Sequence, residues 1–135
     1  MLTQLSPGRP VRVLLADDNS TFRKSTAAWL KSAPWIELVA VVENGTECLQ
    51  YTRALSPDVV VLDLAMPDFN GFEITQQLKA LGSAPRVVIL SLYDEQEYRR
   101  RARQVGAEAY VAKMQTVKEL VPAIQATLTE IGEAV

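Results

Sequence analysis

A chain of 135 residues is long enough to bury one proper core and too short for two ordinary domains. An apolar fraction of 48% against 22% charged residues excludes a wholly disordered chain, and a net charge of −2 gives no general attraction to nucleic acid or anionic lipid. Cys48 is the single cysteine and there is no histidine, which excludes an intrachain disulfide and a cysteine- or histidine-based zinc site; any bound metal must be held by oxygen, which favours Mg²⁺, Mn²⁺ or Ca²⁺.

Residues 1–10, with two prolines, a glycine and no clear period, read as a flexible leader. They lack the apolar core of a signal peptide, and no later run reaches the ~18 apolar residues that span a bilayer, so the expected location is the cytoplasm, without membrane contact. Val11 to Ala16 is a short apolar strand that ends in Asp17-Asp18-Asn19-Ser20, where Asn19 or Ser20 can cap a helix carrying Phe22, Ala27 and Leu30 at helical spacing up to Pro34. Ile36 to Val42 is a second strand, and Asn44-Gly45-Thr46 turns into a helix with Cys48, Leu49, Thr52 and Leu55 on one face. Val59 to Leu62 is a continuous β-branched and leucine run ending in Asp63, as in a strand buried on both faces.

Asn70-Gly71 then opens a helix using Phe72, Ile74, Leu78 and Leu81 and closed by Gly82. Arg86 to Ser91 is the fourth strand, Glu95 to Val105 a helix with a thin apolar face, and Ala109 to Ala112 the fifth strand. Thr116 is placed to cap a last helix bearing Leu120, Ile124, Leu128 and Ile131, with Glu119 at capping-box spacing. Five strands alternating with five helices require an α/β fold with a parallel sheet covered on both faces, because each parallel crossover runs over a sheet face.

In a flavodoxin-like doubly wound (βα)5 fold, whose five-stranded sheet has the order 2-1-3-4-5, the first and third strands are neighbours at the switch point. Asp17, Asp18 and Asp63 then converge on one crevice. Clustered carboxylates repel and raise one another's pKa unless a cation neutralises them, and Mg²⁺ suits an oxygen-only site that leaves positions open for phosphate oxygens. Ser91 and Lys113, at the ends of the fourth and fifth strands, add a hydroxyl and an ammonium suited to phosphoryl oxygens.

These residues, with Tyr110 and the run Asp63-Leu64-Ala65-Met66-Pro67-Asp68-Phe69-Asn70-Gly71, resemble the receiver domains of two-component response regulators over about residues 11–132, leaving 133–135 as a tail. The resemblance implies a signalling domain rather than an enzyme. In it Asp63 accepts a phosphoryl group from a sensor histidine kinase or a phosphotransfer protein, with Lys113 and Ser91 serving the transfer. It further implies Mg²⁺ held by Asp18, Asp63 and the backbone carbonyl of Ala65, with Asp17 orienting ligands from behind. Ser91 and Tyr110 are the implied switch, the tyrosine turning inward once Ser91 binds the phosphoryl group.

Family members commonly carry Lys-Pro where this chain has Lys113-Met114. The segments Pro34 to Val39 and Gly106 to Tyr110 look like the receivers usually joined to a helix-turn-helix DNA-binding domain, so the expected output partner is a C-terminal effector of that kind or a separate protein. Surface residues 95–132 are the expected interface for it and for a second copy of the chain. Arg99, Arg100, Arg101 and Arg103 form the one dense charge run, read chiefly as a solvated helix face. Two other readings are a Mg²⁺ phosphohydrolase with an Asp nucleophile and a receiver-like binding module that works without phosphate.

Overall fold

The computed structural model describes residues 9–134. The elements are β1 (Val11–Ala16), α1 (Ser20–Lys31), β2 (Ile36–Val42), α2 (Gly45–Leu55), β3 (Val59–Asp63), α3 (Gly71–Lys79), β4 (Arg86–Ser91), α4 (Gln96–Gln104), β5 (Ala109–Ala112) and α5 (Val121–Ala134). Every strand pair is parallel and the sheet order is β2-β1-β3-β4-β5, the arrangement expected from the sequence.

Alternation along each strand divides the core in two. Val11, Val13 and Leu15 of β1 face one side with Leu30 of α1 and Leu120, Ile124 and Leu128 of the C-terminal segment. Leu14 and Ala16 face the other with Leu49, Phe72, Leu78 and Ala102, drawn from α2, α3 and α4. β3 is buried along its whole length, which accounts for its unbroken apolar run and leaves Asp63 as the charged residue at its carboxyl end. The thin apolar face expected for α4 is also present: Ala102 is its one fully buried residue.

Three helices start on asparagine. Asn19, Asn44 and Asn70 accept hydrogen bonds from the backbone N–H groups of Phe22, Glu47 and Glu73, which would otherwise lack partners. The capping box lies at Asn70, whose own N–H is accepted by Glu73 Oε1 at 3.2 Å. The sequence reading placed one at Thr116 and Glu119, and this is corrected. The chain there runs through a 3₁₀ turn (Lys113–Gln115) and a π turn (Thr116–Leu120) before α5, so no open helix start exists to be capped. Thr116 Oγ1 instead donates to the Lys113 carbonyl at 2.8 Å. α3 also stops earlier than expected, at Lys79, where tightened bonds from Ala80 and Leu81 end it before Gly82. Ile131, expected on the buried stripe of α5, lies outside the residues whose side chains are described. All described peptide bonds are trans, including Lys113-Met114.

Gly71 brings α3 directly against the end of β3. Its N–H donates to the Leu64 carbonyl at 2.7 Å, and a Cβ there would lie 2.8 Å from Leu64 Cα and 3.2 Å from the Asp63 carbonyl oxygen. Since both obstacles are backbone, Gly71→Ala should destabilise the domain by roughly 1–3 kcal/mol in urea unfolding. Gly82→Ala, with nothing within 4 Å of the added carbon, should show no such loss.

Candidate functional site

The ends of four strands meet at one edge of the sheet. Asp17 and Asp18 follow β1, Asp63 closes β3, Ser91 closes β4 and Lys113 follows β5. Carboxylate oxygens of Asp17, Asp18 and Asp63 lie within 4.8 Å of one another. Asp17 is fully buried, Asp63 is 4% exposed and Asp18 is open to solvent. Lys113 Nζ lies 3.2 Å from Asp17 Oδ2 and 3.4 Å from Asp63 Oδ1, and its side chain is only 9% exposed. The Asp63 Oδ1 atom also accepts the N–H of Ala65 at 3.4 Å. A cavity of about 190 Å³ opens above the group and is lined by Asp18, Asp63, Ala65, Ser91, Tyr93 and Lys113 among others.

Burial pushes the Asp63 carboxyl up to about 7; Lys113 pulls it down and Asp17 pushes it further up. Once Asp63 is ionised, three carboxylates against one ammonium leave two negative charges uncompensated. Asp17 Oδ1 is satisfied by the Asn19 N–H at 2.9 Å, whereas Asp17 Oδ2, although close to Lys113, is a buried oxygen with no hydrogen bond. An unsatisfied buried oxygen, a surplus of two negative charges and a purely oxygen donor set fit Mg²⁺.

Ser91 and Tyr110 are joined by one residue. The Tyr93 N–H donates to Ser91 Oγ at 2.9 Å, and the Tyr93 carbonyl accepts the Tyr110 hydroxyl at 2.5 Å. Tyr110 is half-buried as a sheet aromatic should be, and burial pushes its phenol up, with the Ser91 hydroxyl and Arg99 acting the other way. Its hydroxyl is thus tied to the loop after Ser91. Arg99 contributes to holding it, with the guanidinium 5.0 Å from the ring centroid, Nη1 donating to the Tyr110 carbonyl at 3.1 Å and Nη2 paired with Asp94 at 2.6 Å.

Sequence reasoning missed Asp68 as a structural tie. Its carboxylate accepts from the Gly45 N–H at 2.8 Å, the Thr46 N–H at 2.9 Å and the Thr46 hydroxyl at 2.7 Å, so the loop carrying Ala65 is fastened to the start of α2. Desolvation by burial raises its pKa, but these bonds together outweigh it and hold the carboxyl at about 2. The sequence signal for that helix start was Asn44, which is used as well.

The raised pKa of Asp63 has a stability consequence of definite sign. Its folded value lies above the ordinary 3.8, so without divalent cation the native state binds the proton more tightly, and stability falls as pH rises from about 4 to about 7. Asp63→Asn should therefore be more stable than the parent at pH 8 in chelator, by on the order of 1–3 kcal/mol, and the difference should vanish at pH 4. Chemical denaturation at the two pH values checks this.

Comparison with known proteins agrees with this geometry. The family model described as the response regulator receiver domain matches residues 13–125. The transcriptional regulatory protein LiaR of Bacillus subtilis is 33% identical over 116 residues, covering 86% of this chain and 55% of that protein. A protein-glutamate methylesterase/protein-glutamine glutaminase of Myxococcus xanthus is 40% identical over 105 residues, 77% of this chain but only 30% of the relative. The crystal structure of a LuxR-family two-component response regulator from Aurantimonas superposes with a TM-score of 0.85 at 30% identity, over 90% of this chain and 86% of that one. The chain spans about half or less of the length of these two curated relatives. Sequence match, strand order and the meeting of Asp17, Asp18, Asp63 and Lys113 at one sheet edge agree, and the chain belongs to the receiver domains of two-component response regulators.

Proposed function

We propose that Asp63 is the phosphoacceptor of this receiver domain, whose last helix, α5, runs through residues 133 and 134 that the sequence reading set apart as a tail. The supporting observation is the placement of Asp63: a nearly buried carboxylate beneath an open cavity, with an ammonium 3.4 Å from one oxygen and two further carboxylates beside it. A free Asp63 oxygen attacks phosphorus; an O–P bond forms as the P–N bond to a donor histidine breaks, and the imidazole nitrogen keeps the electron pair. The donor class is a sensor histidine kinase or a phosphotransfer protein.

Asp18, Asp63 and the Ala65 carbonyl would hold Mg²⁺, with Asp17 behind them. When bound, the ion supplies neutralisation of charge shared by nucleophile and phosphoryl oxygens. Lys113 donates to the same oxygens. Ser91 Oγ accepts from Tyr93 N–H, which leaves its own O–H available to donate to a phosphoryl oxygen. A phosphoryl group that draws on Ser91 then biases the Ser91–Tyr93–Tyr110 chain and, through Arg99, the position of α4; this is a population shift between packings.

The output surface is α4, β5 and α5, read by a second copy or by an effector, DNA-binding in the regulators this chain resembles. Arg99 is occupied by Asp94 and Tyr110, and Arg101, although 4.4 Å from the Phe72 ring centroid, is exposed like Arg100 and Arg103, so these three are the arginines of the run offered outward. No helix of the described residues is long and apolar enough to cross a membrane; the cytoplasmic location is proposed from the resemblance to other response regulators. Against a hydrolase, the residue two beyond Asp63 is Ala65, which offers no acid or base. Against a phosphate-independent module, the acidic pair, Asp63 and Lys113 are all present and in contact.

Incubation with Mg²⁺ and a small acyl phosphate should add the mass of one phosphoryl group to the parent chain and none to Asp63→Asn. Asp18→Ala should remain folded and take up none. An adduct on Asp63→Asn, or repeated turnover of phosphomonoesters by the parent, would overturn the assignment.

A further inference from the structure

We infer that Phe22 is a positioning residue for phosphoryl transfer: its ring face holds the Lys113 ammonium in place over the pocket. The inference rests on Asp63 being the phosphoacceptor. Lys113 Nζ lies 4.4 Å from the centroid of the Phe22 ring while facing Asp17 and Asp63 on its other sides. A lysine ends in a compact ammonium on a flexible four-carbon stem, so it needs walls as well as charges to stay in one place. With its side chain only 9% exposed, Lys113 has lost most of its water, and the negative face of an aromatic ring attracts the cation most strongly where water is excluded.

The ring itself is fixed from two directions. The Phe22 backbone N–H donates to the Asn19 cap at 2.9 Å, which sets the first turn of α1 beside the acidic pair. Its side chain packs on the core cluster that contains Leu15, Leu30 and Ile124. An aromatic wall also suits the chemistry better than a fourth carboxylate. A carboxylate at this place would hold Lys113 strongly and compete with phosphoryl oxygens for its donors. A ring attracts it weakly, adds no negative charge, and leaves the side facing Asp63 open to the incoming group.

The sequence marked Phe22 only as one of the residues at helical spacing in α1, because nothing in its neighbourhood signals a lysine that enters from the far end of the sheet. The test compares the parent, Phe22→Leu, which keeps apolar bulk without the ring, and Phe22→Tyr, which keeps the ring. Two quantities are measured: the rate of Asp63 phosphorylation by a small acyl phosphate at saturating Mg²⁺, and the proton shifts of the Lys113 side chain, which lie under the ring current of Phe22. Phe22→Leu should slow phosphorylation between about threefold and thirtyfold and remove the ring-current shift, and Phe22→Tyr should restore both. Mg²⁺ affinity, read by calorimetry, should be the same in all three, since Phe22 contacts the lysine and not the carboxylates. If the parent is phosphorylated and Phe22→Leu matches its rate, or Phe22→Tyr is as slow as Phe22→Leu, the inference is overturned while the reading of Asp63 stands. If the parent itself takes up no phosphoryl group, both fall.

Discussion

A lysine ammonium withdrawn from water has to be paid for by partners, and Lys113 finds them in Asp17 and Asp63 at 3.2 and 3.4 Å. That three-residue contact explains much of the surrounding architecture. In the order β2-β1-β3-β4-β5, the strand that leads into Lys113 is two positions from β3 and three from β1. At a spacing of about 4.8 Å per strand, β5 lies roughly 10 Å from β3, so only a long side chain lying over the end of β4 can join them. Lys113 itself opens the 3₁₀ turn that follows β5, and a π turn separates that turn from α5.

The contact is also deliberately incomplete. Burial, with the neighbouring Asp17 adding to it, leaves Asp63 with a raised proton affinity that Lys113 only partly offsets, and Asp17 keeps a buried oxygen that has no hydrogen bond. A site finished as a structural ion pair would have neither feature. An electrostatic imbalance of this kind fits the acidic pocket at which receiver domains take up Mg²⁺, and it lies at the same edge that ties β1, β3 and β5 together.

Most of the fold was legible in the sequence because the strands are short, β-branched and punctuated. All five have the boundaries read from the chain, down to Asp63 and Ser91 as terminal residues. The acidic residues, Ser91 and Lys113 were legible because each follows such a strand, and the switch-point rule brings strand ends together. What escaped were the contacts between residues distant in sequence that no strand-end rule brings together. Asp68 fastens the start of α2, Arg99 and Arg101 lie over aromatic rings, and Phe22 faces Lys113, yet each looks ordinary among its neighbours. Thr116 and Glu119 had the spacing of a capping box without the helix start that gives the spacing its meaning. Asn70 and Glu73 had both.

The most direct test of this account is the stability of Lys113→Met at pH 8 in chelator, measured alone and in the Asp63→Asn background. If the buried ammonium is what balances these carboxylates, the single substitution should cost on the order of 3–5 kcal/mol, and removing the Asp63 charge should recover a large part of it. An equal loss in both backgrounds would mean that Lys113 contributes only its stem, and would contradict the claim that its charge organises this edge of the sheet.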